Sequence, residues 1–219
     1  MMITYEEIKN NQNIRTYIKK ADESLIALGY TEHSFAHVAK VAEMAGYILR
    51  TLGYGEREVE LVKIAGFLHD IGNLVNRSEH SQSGAVMAFR ILDKLGMDAE
   101  DIADVVTAIG NHDEGTASPV NAIAAALFLA DKSDVRRTRV RCDAKDFDIH
   151  DRVNYSVTAS ALQISDDHKN ISLILTIDTE VSSVTEYFEI FLQRMILCRK
   201  AAERLGMNFR LIINDQHLM

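Results

Sequence analysis

The 219-residue chain, 47% hydrophobic and 26% charged with no low-complexity tract, is long enough to bury a core as one domain or as one domain with a small appended unit. Its net charge of -8 argues against a mainly electrostatic hold on DNA, RNA or anionic lipid, so neither stable nucleic-acid binding nor membrane association is expected. No run of about 18 apolar residues occurs, and the opening MMITYEEIKNNQ lacks a basic start followed by an apolar stretch, so a cytoplasmic chain without membrane span or signal peptide is expected.

From Thr4 to about Val135 the pattern is helical. Ile14, Tyr17, Ile18, Ala21, Leu25 and Ile26 share one face of a first helix. Thr31 is placed to cap a second, carrying Val38, Val41, Ala45, Ile48, Leu49 and Leu52, which Gly53 ends. Val59, Leu61, Ile64, Ala65, Leu68 and Ile71 mark a third that turns almost wholly apolar just before His69 and Asp70, with Gly72 as terminator. A fourth runs from about Glu79 through Ala85, Ile91, Leu92 and Leu95 to Gly96, and a fifth from about Ala99 to Ile109, stopping near Asn111. Ser118 followed by Pro119 predicts the start of a sixth helix that reaches Asp131 to Val135.

After about Arg141 the character changes. Ala159 to Ser165 and Asn170 to Asp178 are β-rich and flank Asp166-Asp167-His168-Lys169, a hairpin signature. Ser183 and Glu186 form a capping box for a helix ending near Leu205 and Gly206, and Phe209 to Ile213 reads as a closing strand. The expectation is a mostly α protein: a helical domain over residues 1–141 and a small α+β extension (hairpin, helix, strand) over 142–219. Because a lone hairpin is marginal, the sheet should gain a third strand and pack on helix. Cys142 and Cys198 lie far apart, outside any C-x-x-C spacing, which fits a reducing compartment and structural roles.

His37, the adjacent pair His69-Asp70, His80, His112 and Asp131 all fall on or beside the ends of these predicted helices. A single histidine on a helix carries little weight. His69-Asp70 is different, because it follows the apolar run Ile64 to Leu68, and ionisable groups at that depth must be paired, neutralised or bound to metal.

Over roughly residues 30 to 140 the sequence resembles the HD superfamily of metal-dependent phosphohydrolases. His37 stands in an H-x-x-x-V-A pattern with Val41 and Ala42, Phe67-Leu68-His69-Asp70-Ile71-Gly72 is similar to the family's central signature, and Ala130-Asp131-Lys132 to its final aspartate. The resemblance implies an HD-type helical bundle in which His37, His69, Asp70 and Asp131 hold one metal. His80, in an H-x-x-x-G-A pattern with Gly84 and Ala85, and His112, in an I-x-x-H pattern after Ile109, resemble the extended, two-metal subset, nearer to bacterial di-iron diadenosine-polyphosphate hydrolases than to single-metal nucleotidases. Cyclic-di-GMP phosphodiesterases of the HD-GYP type are disfavoured: they carry a second histidine where this chain has Asp113, and the G-Y-P signature is absent. Many relatives carry Lys after the H-D-x-G core, where this chain has Asn73.

The resemblance implies a divalent transition-metal cofactor, two ions with Fe favoured over Mn, Co, Ni or Zn, since a mixed imidazole and carboxylate set suits these better than Mg or Ca. Asp70 would bridge, with His37, His69 and Asp131 completing one ion and His80 and His112 the other. A hydroxide between the metals would then attack phosphorus, which makes Asp70, His80 and His112 the catalytic group and a small phosphorylated compound, a nucleotide among the options, the substrate. A di-iron oxygenase on the same scaffold and a nucleotide-sensing module without turnover are the alternative readings.

Arg136, Arg137, Arg139 and Arg141 follow the last ligand closely, either as a solvated helix end or, for the first three, as a clamp on substrate phosphate. His33, one turn before His37, is expected beside the site or on the surface, while His150, His168 and His217 are expected in solvent. Asp113 and Glu114 either orient a ligand imidazole or are polar loop residues. Exposed helix faces and a small sheet with free edges make a homodimer a reasonable expectation.

Overall fold

In the computed structural model residues 3–115 and 117–219 are described; Met1 and Met2 of the expected first domain, and Thr116, lie outside them. The chain opens with α1 (Tyr5–Asn10), capped by a reciprocal Thr4–Glu7 box, and the side chain of Asn11 then caps α2 (Gln12–Ala27). There follow α3 (Phe35–Thr51), α4 (Glu56–Leu68), α5 (His80–Leu95), α6 (Ala99–Gly110) and α7 (Ala122–Ser133). Two of the expected starts move. Ser34, not Thr31, caps α3, its hydroxyl taking the Ala36 N–H while Glu32 holds the Ser34 N–H at 2.8 Å. Asn121, not Ser118, caps α7, its side-chain oxygen accepting the Ala124 N–H at 2.8 Å, and Pro119 stays in the irregular approach.

The tail adds α8 (Ile149–Ser156), which the sequence pattern does not announce because only Val153 and Ser156 of it are fully buried. Strands β1 (Val157–Ile164) and β2 (Asn170–Ile177) form the expected hairpin, α9 (Val184–Arg204) crosses over, and β3 (Asn208–Ile213) returns parallel to β2 with Leu173 opposite Leu211. A short β4 (Gln216–His217) completes the sheet order β1-β2-β3-β4. Ile171, Leu173, Leu175 and Ile177 alternate inward with Phe209, Leu211 and Ile213, and one apolar core joins this face to α9 and the helical bundle. Among the described residues no helix is long and apolar enough to cross a membrane.

The bundle is organised around α7. Every residue from Ile123 to Asp131 is buried, so this helix has no solvent face; α3, α4, α6 and α9 surround it. Its alanines, Ala124, Ala125, Ala126 and Ala130, let those neighbours approach, and Leu127 and Leu129 fill the gaps, each burial contributing about 1.5–3 kcal/mol.

Two close backbone approaches then set the site. A Cβ on Gly66 would stand 2.8 Å from the Cα of Ala42, so α3 and α4 touch through a missing side chain. A Cβ on Gly72 would stand 2.0 Å from the carbonyl oxygen of His80 and 2.5 Å from the nitrogen of Gly84, so the turn after Asp70 lies directly against the start of α5. The chain enters α5 through Glu79 in the left-handed region (φ 57°), a conformation that costs a non-glycine residue roughly 1 kcal/mol or more.

Gly72→Ala should lower the unfolding free energy by more than about 3 kcal/mol, whereas Gly96→Ala, at φ 81° with open space around it, should cost only about 1–2 kcal/mol in urea denaturation; equal costs would contradict the close approach. The Glu186 carboxylate, drawn down to about 2 by Arg152 first and then by the Ser183 N–H and the Ser182 hydroxyl, ties α8 to α9. Its folded value lies below the ordinary carboxyl value of about 4.3, so its stabilisation is present above that pH and lost as pH falls toward 2. Wild type should melt above Glu186→Gln at pH 7, with the gap closing on acidification; a gap that persisted at low pH would contradict the assignment.

Candidate metal centre

Five helix ends deliver the six residues singled out in the sequence to one place. His37 lies in the first turn of α3, His69 caps the C-terminus of α4 with Asp70 next to it, His80 opens α5, His112 follows α6, and Asp131 is in the last turn of α7. All six are buried, from 0% exposed at His37 and His69 to 9% at Asp131. Ionisable groups withdrawn this far from water must be compensated.

Each imidazole is anchored through Nδ1. His37 meets the Asp134 carboxylate at 2.8 Å, His69 the Gly66 carbonyl at 2.8 Å, His80 the Arg77 carbonyl at 3.1 Å and His112 the Ile109 carbonyl at 2.6 Å. Carbonyls and carboxylates only accept, so in each ring Nδ1 carries a hydrogen and Nε2 turns inward, where the neutral ring offers a lone pair. Among the described residues the Nε2 atoms of His37 and His69 are buried with no hydrogen-bond partner, and those of His80 and His112 face each other at 3.2 Å. Facing lone pairs and orphaned acceptors of this kind are what a cation relieves.

The carboxylates complete the arrangement. Asp70 Oδ2 lies 3.2 Å from His69 Nε2 and 3.6 Å from His37 Nε2, while Oδ1 of the same group lies 3.5 Å from His80 Nε2 and 3.9 Å from His112 Nε2. Asp131 Oδ1 is 3.3 Å from His37 Nε2 and 3.8 Å from His69 Nε2. Donor atoms of His37, His69 and Asp70, of His69, His112 and Asp131, and of Asp70, His80 and His112 each fall within 4.8 Å of one another. Burial would raise both aspartates, but neighbouring charge outweighs it, from His69 at Asp70 and from Lys132 at Asp131, and both are held well below the carboxylate range. Burial pushes His80 down to about 4, so its ring is neutral at physiological pH. Neutral imidazoles and ionised carboxylates are the ligand forms that a divalent metal requires, and the mixed nitrogen and oxygen set fits Fe, Mn, Co, Ni or Zn.

One supporting residue, Asp134, escaped the sequence reading, and the role of another, Asn73, was not read from it. Asp134, 1% exposed and one turn past Asp131, accepts from His37, from Lys40 at 2.7 Å and from Arg136 at 2.8 Å. Burial alone would raise it, yet the hydrogen bonds from His37 and Arg136 hold it below the usual carboxylate range. A second aspartate three residues after Asp131, at helical spacing, was the available signal. Asn73, buried, donates its amide to the Asp70 carbonyl at 2.9 Å and to Asp70 Oδ1 at 3.0 Å, fixing the carboxylate rather than reaching for substrate.

A cavity of about 590 Å³ opens above the centre, lined by Asp70, His80, His112 and Asp131 and walled by the 28–33 loop, α8 and α9. The structure separates the three arginines expected to clamp phosphate. Arg136 is held by Asp134 and Glu32, and Arg137 by the Tyr155 carbonyl and ring and by Asp178; neither lines the cavity. Arg139 does line it, with its guanidinium bonded to the Glu32 and Asp134 carbonyls. The other cations on the wall are Arg77, Lys132 and Arg194. Glu114 orients no imidazole; it takes Arg194 at 2.7 Å and Lys132 at 3.7 Å. Asp113 also lines the cavity. His33 stands beside the site as expected, its ring 5.5 Å from that of His37. His150 is exposed but also lines the cavity, 6.4 Å from the Phe191 ring.

The sequence profile of the HD domain matches residues 34–136, a span that contains all six residues of the centre. This span is similar to the HD domain. An uncharacterized protein of Methanocaldococcus jannaschii, MJ1020, is 26% identical, the match covering 73% of this chain and 68% of that protein. The crystal structure of a predicted HD superfamily hydrolase from an uncultured Thermotogales bacterium is similar at 24% identity and a TM-score of 0.43, over 60% of this chain and 73% of that one.

Within the centre, Asp134→Asn keeps the shape of the His37 support but removes its charge. Metal affinity, measured by competition with a chelating dye, should fall about 10- to 100-fold; unchanged affinity would show that His37 needs no anionic anchor.

Proposed function

We propose that this HD domain is a metal-dependent phosphohydrolase that cleaves a phosphate ester or phosphoanhydride, in a nucleotide or small phosphorylated metabolite, on two divalent ions. The observation that carries this reading is the division of Asp70: Oδ2 turns to His37 and His69, and Oδ1 to His80 and His112. His37, His69, Asp131 and Asp70 Oδ2 would hold one ion, and His80, His112 and Asp70 Oδ1 the other. When bound, such metals supply Lewis acidity, making water acidic enough to serve as nucleophile near neutral pH and offsetting charge on phosphoryl oxygens.

The chain's own residues do the rest. Asp70, fixed by the Asn73 amide, keeps both halves of the centre in register, and backbone carbonyls on rigid helix ends turn Nε2 of His80 and His112 inward. Lys132, held 2.7 Å from Asp131 Oδ2, and Arg194, held by Glu114, place positive charge on the wall of a cavity that must admit an anion. Ile190, Phe191 and Asn154, on α9 and α8, give the part of the cavity available to the organic portion of a substrate. Two free cysteines fit action in the cytoplasm.

Protein stripped of metal and reloaded in turn with Fe, Mn, Co, Ni and Zn should release phosphate from a generic phosphomonoester or a nucleotide panel with at least one of them. Asp70→Asn should lower kcat at least about a thousandfold. No release from any substrate with any metal would overturn the reading, and oxygen consumption confined to the iron form would replace it with oxidative chemistry.

A further inference from the structure

We infer that Arg77 grips the phosphoryl oxygens of the substrate beside His80 and His112, an inference that rests on the hydrolase reading above. Of the cations on the cavity wall, Lys132 is paired with Asp131 and Glu114, Arg194 with Glu114 while stacked 3.8 Å over the Phe191 ring, and Arg139 is fixed by two carbonyls. Arg77 differs: among the described residues no carboxylate lies within ion-pair distance of it. Its guanidinium rests 3.3 Å from His80 Nε2 and 3.4 Å from Asn73 Oδ1, with the Tyr30 ring 5.5 Å away on the cavity wall.

The placement is built into the backbone. The Arg77 carbonyl receives His80 Nδ1, and the left-handed turn at Glu79 starts α5 immediately afterwards, so the residue that orients the ring also lays its own side chain across the ring's inner nitrogen. When His80 Nε2 serves as a metal ligand, the guanidinium can no longer donate to it and is left facing a second cation. An anion between the two removes that repulsion. A phosphoryl group suits the position, since it offers paired oxygens to a planar guanidinium fork and further oxygens to the metal side. Tyr30 keeps the guanidinium at the wall through its ring face without neutralising it.

The test is calorimetric titration of inorganic phosphate into manganese-loaded protein, with bound metal counted by elemental analysis. Arg77→Ala should weaken phosphate at least about tenfold and keep the wild-type metal count, Arg77→Lys should recover part of the affinity, and Arg90→Ala, on an exposed face of α5, should match wild type. Equal phosphate affinity in wild type and Arg77→Ala would overturn the inference while leaving the hydrolase reading intact. Loss of a metal ion from Arg77→Ala would overturn it in favour of a role in positioning His80. Absence of phosphate binding in wild type itself, together with absence of turnover, would remove the hydrolase reading and the inference with it.

Discussion

The centre depends on one nearly buried carboxylate, Asp70, standing between four imidazoles whose inward nitrogens lie 3.2 to 3.9 Å from its two oxygens. Taking a carboxylate out of water costs several kcal/mol, and breaking such an arrangement by removing one partner costs more than the arrangement contributes. The protein meets this by saturating everything around the carboxylate except the atoms that point inward. Asn73 binds Asp70, three carbonyls and Asp134 bind the four Nδ1 atoms, and Lys132 binds Asp131. The donors left over are those that a metal can use.

Holding six side chains from distant parts of the chain to such tolerances needs rigid supports brought unusually close. Gly66 against Ala42, and Gly72 against His80 and Gly84, remove the side chains that would keep those segments apart. The wholly buried α7 then fixes Asp131 and Asp134 relative to α3 and α4 by packing alone. The glycines of the H-D-x-G and H-x-x-x-G segments are thus packing requirements of the ligands beside them. Backbone proximity, ligand placement and cavity floor are one feature viewed at three scales.

Much of this was legible in the sequence because burial leaves periodic traces. Helical spacing gave α2 to α7, a capping box marked α9, and alternation gave the hairpin and closing strand, since apolar residues repeat wherever an element presents a face to the core. His69 and Asp70 stood out as ionisable groups at the end of an apolar run, and the other four residues of the centre through the resemblance to the HD pattern. What did not show was decided by single hydrogen bonds between neighbours or across the fold. Ser34 takes the cap of α3 because Glu32 positions it, and Asn121 displaces Ser118 because its amide oxygen reaches the Ala124 N–H. Arg136 and Arg137 looked alike in sequence to Arg139, but Asp134, Glu32, Tyr155 and Asp178 divert them, and three of those four lie far away along the chain or arrive from other elements. Arg77 carried no periodic signal at all, being set by the conformation of one turn.

We propose that one carboxylate, Asp70, organises two metal positions. Anomalous diffraction from crystals of the protein as isolated, collected on both sides of the iron, manganese and zinc edges, tests it directly. The account predicts two peaks sharing Asp70, one enclosed by His37, His69 and Asp131 and the other by His80 and His112. A single peak with His80 and His112 unligated in fully loaded protein would contradict it.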